Sequence, residues 1–314
     1  MSFRLLGAMI CLCLLSSTIA RAQSGTPAVG SEPAPQIAFT FDDLPAHGPL
    51  PPGEDRPEPV REILAALKAA NMPPVYGFVN GFRVTQFPYQ EHILNAWHAA
   101  GQPMGSHTYS HPGLDQLTAR SYINDIQRNE EFLRRADEGG DWRWFRYPFL
   151  EEGNTLSKRD KVRTWLSLHG YRIAEISMDF QDYNWNDTYA RCSVKKDEVA
   201  IRHLHDTYLS AASQAVVAFR GLSHTLYGRD VRYILLMHVG AFDAKMLPEL
   251  LAQFRSEGFE FVTLEKAAAD EAYSFDPHQT TKGGSTFLEQ VAAARKVNVP
   301  DLPDYSVELA RMCH

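Results

Sequence analysis

Two adjacent carboxylates and a spaced pair of histidines are the residues of this chain that could do chemistry together. Asp42 and Asp43 end the motif Thr40–Asp43, directly after a short apolar stretch. His107 and His111 stand four positions apart, so both imidazoles can reach one metal ion if the backbone turns helically between them. One carboxylate and two imidazoles leave coordination positions open for water and substrate. The pattern therefore predicts a metal site with room for water and substrate.

Each of these signals also has an ordinary structural explanation. Adjacent Asp residues are common in turns and helix caps, and two histidines at this spacing can simply lie exposed on a helix. Three further polar clusters follow later apolar stretches, at Arg146–Pro148, Asp179–Tyr183 and Leu235–His238. Any one of them could be a surface ion pair or a satisfied core residue. Five such clusters after five strand candidates favour function, because a barrel brings all strand ends to one face.

Short apolar runs alternate with helical patterns along the chain, and this alternation predicts an α/β fold with a parallel sheet. About seven units approach the eight of a full α/β barrel, and an open doubly wound sheet is the competing architecture. Its nucleotide-binding version is disfavoured because no Gly-x-Gly-x-x-Gly follows the first strand. The strand candidates are 37–41, 74–79, 103–107, 142–147, 172–178, 233–238 and 259–264. The helix candidates are 58–70, 91–100, 118–136, 158–168, 199–218, 245–256 and 285–296.

Composition narrows the possible partners and the location. The 314 residues are 44% hydrophobic with a formal net charge of −7, and they contain no long basic run, so nucleic acid is not an expected partner. Residues 1–22 have the pattern of a signal peptide that ends in Ala20-Arg21-Ala22. Its apolar run is shorter than the ~20 residues of a spanning helix. We expect export to the periplasm or medium, without a stable membrane anchor.

The rest of the chain predicts one domain with additions. We expect residues 23–36 to be a flexible leader and 37–270 to be the barrel, with an inserted helical segment at about 186–232. Residues 271–314 are a C-terminal extension. Cleavage after residue 22 would leave Cys192 and Cys313, which could form a disulfide or remain two thiols.

The ordered set of motifs resembles the polysaccharide deacetylases, the NodB-like carbohydrate esterase family 4. The resemblance extends from Ile37 to Lys266. Each motif is short, but all five occur in the family's order, which makes the set specific. The family motif Thr-Phe-Asp-Asp is matched by Thr40–Asp43, and His-Ser/Thr-x-x-His is matched by His107–His111. Arg-x-Pro is matched by Arg146–Pro148. The paired-Asp motif is matched by Asp179 with Asp182, and Leu-x-His by Leu236–His238.

The resemblance implies a distorted seven-stranded (β/α) barrel and a divalent metal ion, expected to be zinc. It also implies a hydrolase of non-peptide C–N bonds that removes acetyl groups from an N-acetylated glycan, such as one containing N-acetylglucosamine. Asp42 would be the general base, oriented by Arg146. His238 would be the general acid, positioned by Asp182. The metal ligands would be Asp43, His107 and His111.

Three departures from the family pattern concern the groove rather than these groups. The family usually has Gly where Leu44 and Leu150 stand, and Trp where Tyr183 stands. Two other functions use the same residues: an esterase that removes O-acetyl groups from xylan or a similar polymer, and a catalytically inactive carbohydrate-binding protein. Near the motifs, His47 is expected to line the groove. Phe149 and Trp185 could offer flat faces to sugar rings, or they could equally be ordinary packing residues.

Overall fold

Seven short parallel strands build the sheet of the computed structural model, which describes residues 33–137 and 139–314. The strand order is β5-β4-β3-β2-β1-β6, and β7 pairs with the start of β1. After β5 the chain returns to β6 through a bridge between Met178 and Leu235. The sheet therefore curls into the predicted distorted barrel. The strands are β1 Gln36–Leu44, β2 Tyr76–Val79, β3 Met104–Ser106, β4 Trp144–Phe145, β5 Arg172–Ile173, β6 Tyr233–His238 and β7 Glu260–Phe261.

Only β6 has the bounds that the sequence predicts, and two strands show why others are shorter. The prediction of one strand over 172–178 is wrong: β5 ends at Ile173, and the chain then crosses from β4 to β6. Ser177 accordingly donates its backbone N–H to Ile234 on β6. Similarly, β7 ends before Leu264 because the Thr263 hydroxyl accepts the N–H of Lys266 and caps a helix.

Eleven α-helices occur within the described residues, and most surround the sheet at the predicted positions. Four were not predicted: α2, α6, α9 and α11. The helix predicted at 199–218 is longer in the structure, because Asp197 caps its start and Gly228 ends it in the left-handed region. The helices are α1 Glu58–Ala69, α2 Gly81–Gln86, α3 Glu91–Ala99, α4 Ala119–Ala136, α5 Leu156–Leu168, α6 Asn184–Lys195, α7 Glu198–Tyr227, α8 Ala241–Ser256, α9 Leu264–Ala268, α10 Phe287–Arg295 and α11 Ser306–Arg311.

The residues after 270 pack back onto the inserted helices α6 and α7. Helix α10 contacts α7, and the Thr188 hydroxyl on α6 donates to the Leu309 carbonyl on α11. Cys192 and Cys313 form a disulfide between α6 and the chain end. This decides between the two alternatives that the sequence left open. The chain end is thus tied to the segment predicted as an insertion.

The alternation of side chains along strand β1 determines which side of the sheet the Asp42 carboxylate faces. Its residues from Ile37 to Leu44 are buried, and alternate side chains point to opposite faces. Phe39 and Phe41 pack in the larger apolar cluster with the helices, whereas Ala38 packs in the smaller cluster inside the sheet. Asp42 shares the parity of Ala38, so its side chain faces the inside.

Two sequence predictions concern residues outside the described part of the chain. The signal peptide at 1–22 lies wholly outside it, as does the leader up to residue 32. Among the described residues, we found no helix with both the length and the apolar character needed to cross a membrane.

Candidate metal centre and active site

The structure brings Asp43, His107 and His111 together at the carboxyl ends of β1 and β3. One ligand atom from each lies within 4.8 Å of the other two. Oδ1 of Asp43 is 3.3 Å from Nε2 of His111 and 3.9 Å from Nε2 of His107. The other ring nitrogen of His107 lies 2.9 Å from the Arg146 carbonyl oxygen. If it donates there, Nε2 carries the free lone pair that a metal requires.

The protonation states at this cluster suit a divalent cation. Oδ1 of Asp43 is buried and has no hydrogen-bond partner among the described residues. Burial would raise the pKa of Asp43, but the hydrogen bond from His47 and the charges of His111 and His107 hold it well below its ordinary value. Burial lowers the pKa of His111 to about 4 despite the opposing effect of Asp43. An ionised carboxylate beside a neutral imidazole is what a metal ligand set needs.

Left-handed backbone conformations occur in the loops that border the cluster. The φ angles of Asp43, His111 and Phe149 are 65°, 56° and 58°. Such a conformation is costly for a residue with a side chain, about 1–2 kcal/mol each. The surrounding structure must therefore enforce these three loops, and the constraint aims their side chains at one point.

Two buried polar side chains on α4 hold the histidine loop. The Asp125 carboxylate accepts the backbone N–H groups of Tyr109 and Ser110 at 2.9 Å. One turn along the helix, the Asn129 amide donates to the Val79 carbonyl and the Ser106 hydroxyl. The sequence analysis missed both residues. A signal was present, because they are polar positions on the face of α4 that otherwise carries Tyr122, Ile126 and Leu133.

Asp42 lies beside the ligand cluster and is held by Arg146. Nη1 of Arg146 donates to Oδ1 of Asp42 at 3.0 Å, and its Nη2 and Nε donate to the Thr40 hydroxyl and the Ala174 carbonyl. Arg146 is only 1% exposed, so no water competes for these bonds. The second carboxylate oxygen of Asp42 stays 3.6 Å from Nε2 of His107, facing the cluster.

His238 faces the cluster from β6 and is paired with Asp182. Oδ1 of Asp182 lies 2.8 Å from Nδ1 of His238, and Oδ2 accepts the His238 backbone N–H at 2.7 Å. Burial alone would lower the pKa of His238, but Asp182, with Asp43 and Asp42, raises it to about 10. The imidazole is therefore protonated at neutral pH. The other member of that motif, Asp179, lines the same cavity, and burial raises its pKa to about 7.

A cavity of about 360 Å³ opens over these groups, and the C-terminal residues supply part of its wall. Gly283, Gly284, Glu289 and Leu302 border it, although the sequence placed them in an extension without a role. Gly284 approaches the backbone of Phe149 so closely that a Cβ there would lie 2.2 Å from the Phe149 carbonyl oxygen. No local sequence signal encodes a contact between segments 135 residues apart.

The remaining side chains singled out from the sequence have mixed outcomes. His47 lines the cavity as expected, and its Nδ1 lies 2.6 Å from Oδ2 of Asp43. Phe149 is exposed with its ring against His111, at a centroid distance of 4.5 Å. Trp185 offers no face to a sugar, because it is 1% exposed and packs against Tyr208. Of the two alternatives for Trp185, the structure therefore supports ordinary packing.

The comparisons with known proteins agree with this geometry. Residues 30–174 match the family model described as polysaccharide deacetylase. The chain is 26% identical over 229 residues to a peptidoglycan-N-acetylglucosamine deacetylase of Bacillus cereus, covering 73% of this chain and 66% of that protein. It is 29% identical over 175 residues to a chitin deacetylase of Colletotrichum lindemuthianum, covering 54% and 63% respectively. The aligned regions thus span less than two thirds of the length of these relatives.

Solved structures show the same fold. The chitin deacetylase of Colletotrichum lindemuthianum superposes with a TM-score of 0.52 at 22% identity, covering 78% of this chain and 93% of that one. A carbohydrate esterase family 4 pseudoenzyme from Bacillus anthracis superposes with the same score at 16% identity, covering 74% and 65%. At these identities the similarity establishes the fold alone.

Proposed function

We propose that this chain, a member of the polysaccharide deacetylase family by its match over residues 30–174, is a metal-dependent hydrolase that removes N-acetyl groups from a glycan. One observation carries the proposal. A three-residue ligand cluster lies between an Arg-held carboxylate, Asp42, and an Asp-held imidazolium, His238. Amide hydrolysis needs such a base and such an acid on one substrate. The named relatives act on chitin and peptidoglycan, which suggests an N-acetylglucosamine-containing substrate.

Asp43, His107 and His111 would hold the cation, and we propose zinc. The 3.3 and 3.9 Å separations between Oδ1 of Asp43 and the two Nε2 atoms are close to the ~3.3 Å between ligands in a tetrahedral zinc site. When bound, the cation supplies Lewis-acid polarisation of the acetyl carbonyl and makes an attacking water more acidic.

Asp42 is placed to take the proton from that water. Arg146 occupies Oδ1, so the free Oδ2 that faces the ligand cluster is the oxygen that accepts it. As the water oxygen bonds to the acetyl carbon, charge develops on the carbonyl oxygen. We assign the Phe149 backbone N–H as a donor to that oxygen, a contribution of about 3 kcal/mol for such a group.

His238 is placed to give a proton to the departing nitrogen. An amine leaves poorly as an anion, so the C–N bond breaks with transfer of this proton. Nδ1 is bonded to Asp182, which leaves Nε2 to face the substrate. Water supplies the oxygen of acetate, and the sugar amine is the second product. The proton on Asp42 then passes to solvent, and His238 is reprotonated.

Acetate release tests the proposal. We expect the metal-loaded protein to release acetate from N-acetylglucosamine oligomers. This activity should stop when a chelator removes the cation and return when zinc is added back. A parallel assay on O-acetylated xylan distinguishes the deacetylase from the esterase alternative, which would use the same site but release an alcohol in place of an amine. An absence of acetate from both substrates in the metal-loaded protein would favour an inactive carbohydrate-binding protein and contradict the proposal.

We also propose that the protein is exported. The signal-peptide pattern of residues 1–22 supports this. The disulfide between Cys192 and Cys313 is consistent with it, because disulfides persist mainly in oxidising compartments. Cell fractionation with N-terminal sequencing of the mature protein tests it, and an unprocessed protein in the reducing cytosol would contradict it.

A further inference from the structure

A second cavity lies beside the metal centre and shares His111 with it. Its volume is about 550 Å³. The site as described uses none of its other side chains. We name it the arginine cavity, because Arg56 and Arg83 both line it, together with Phe82, Phe87, Tyr89 and Tyr109. A glycan that places an acetamido group at the ligand cluster extends past His111 into this space if it continues on that side.

Neither Arg56 nor Arg83, both partly buried, has an acidic partner among the described residues. Between residues 33 and 314, Glu138 excepted, no carboxylate oxygen lies within 4.0 Å of either guanidinium group. Within the described part of the chain, Arg56 donates only to the Gly48 carbonyl, at 2.6 Å. Its pKa is lowered by burial and then by the charge of Arg83. By contrast, the partly buried Arg163 contacts both Glu152 and Glu175. Two neighbouring, partly buried cations without a counter-charge are suited to an anionic ligand.

The rest of the lining is suited to sugar rings. Phe82, Phe87 and Tyr89 are 43%, 43% and 57% exposed, which is high for large aromatic side chains. Sugar rings stack on such faces through their C–H groups. The backbone N–H of Phe82 donates to the Tyr109 carbonyl at 3.0 Å, so the start of α2 is fixed to the loop that carries His111. The cavity therefore has a fixed position relative to the metal centre.

We propose that the arginine cavity is a subsite for an acidic sugar, in which Arg56 and Arg83 bind the carboxylate of a unit that neighbours the N-acetylated one. This deepens the proposed function and rests on it for the position of the reacting unit. The substrate class is then an anionic glycan, in which N-acetylated sugars alternate with or adjoin carboxylate-bearing ones. Neutral homopolymers bind the aromatic faces without using the two cations.

The test compares one oligosaccharide in two forms. The first is an N-acetylglucosamine oligomer with a carboxylate on the neighbouring sugar, and the second is its methyl ester. We expect the wild type to have a higher kcat/KM for the acid than for the ester. Arg83→Gln and Arg56→Gln should each lower that acid-to-ester ratio roughly tenfold. Arg202→Gln, an exposed arginine on α7, is the matched control and should keep the wild-type ratio.

Calorimetric binding of both forms separates this proposal from the proposed function. If neither form releases acetate but the wild type binds the acid more tightly than the ester, and Arg83→Gln removes that preference, the deacetylase proposal fails and the subsite stands. If the wild type binds both forms equally, or if Arg202→Gln changes the preference as much as Arg83→Gln does, the subsite is contradicted whatever the activity. Circular dichroism and thermal unfolding of each variant identify any loss that comes from misfolding.

Discussion

The strand-end loops and the C-terminal residues border one cavity, but different interactions hold them in place. The loops carry charged side chains fixed by buried hydrogen bonds, such as Arg146 on Asp42 and Asp182 on His238. The C-terminal residues contribute mostly backbone and shape, as in the contact of Gly284 with Phe149. The reaction requires particular residue types in the loops, whereas the wall of the cavity only requires side chains of a suitable size. Changes in the loops should therefore alter the reaction, and changes in the wall should alter its efficiency and its substrate.

The largest effect is expected in the ligand cluster. His107→Ala removes one of the three proposed ligands of the cation, an imidazole that lies beside both Asp42 and Asp43. We expect loss of stoichiometric metal and a fall in kcat/KM of about a thousandfold or more. Metal content by mass spectrometry after dialysis checks this, with His92→Ala on the exposed face of α3 as the control. Full metal content in His107→Ala would remove this residue from the ligand set.

His238→Ala should separate catalysis from metal binding. Loss of the general acid is expected to lower kcat about 10²- to 10⁴-fold. Metal content should stay near that of the wild type, because the proposed ligands are untouched. The same dialysis and acetate assay measure both quantities. Loss of the metal in this variant would instead indicate that the cation is bound by Asp43, His47 and His238, the second candidate ligand group among the described residues.

Asp182→Asn should change the pH dependence more than the maximal rate. The general acid works only while protonated, so activity falls as pH rises through the pKa of His238. Asp182 contributes to raising that pKa to about 10, although burial opposes it. Without the carboxylate the alkaline limb of kcat/KM should move to lower pH, by about 1 unit or more. An unchanged alkaline limb would show that Asp182 does not set this protonation.

The smallest effect is expected in the wall, where two adjacent glycines provide a matched pair. Gly283 and Gly284 have φ angles of +79° and +85°, so Ala at either position incurs a similar backbone cost of about 1 kcal/mol. Only at position 284 would the new Cβ meet the Phe149 carbonyl, since nothing lies within 4 Å at 283. In denaturant unfolding we expect Gly283→Ala to lose only this backbone cost and Gly284→Ala to lose more, because of the added clash. A several-fold lower kcat/KM is expected in Gly284→Ala alone. Equal kinetics in the two variants would show that the wall does not position Phe149.

The sequence predicted the loops better than the wall for a physical reason. Asp43, His107 and His111 were identifiable because metal chemistry requires those residue types after strand ends, and the structure brings them together. Strand lengths were less predictable, because β5 ends where the chain crosses to β6 and not where its apolar run ends. The contact of Gly284 with Phe149 depends on how the last helices fold back. No local pattern carries that information.

The central claim is that one cation lies among Asp43, His107 and His111, and anomalous diffraction from crystals grown with zinc tests it directly. The account predicts a single strong peak within ~2.0–2.2 Å of a carboxylate oxygen of Asp43 and of Nε2 of both histidines. A peak between Asp43, His47 and His238, or no peak near Asp43 in crystals that hold zinc elsewhere, would contradict it.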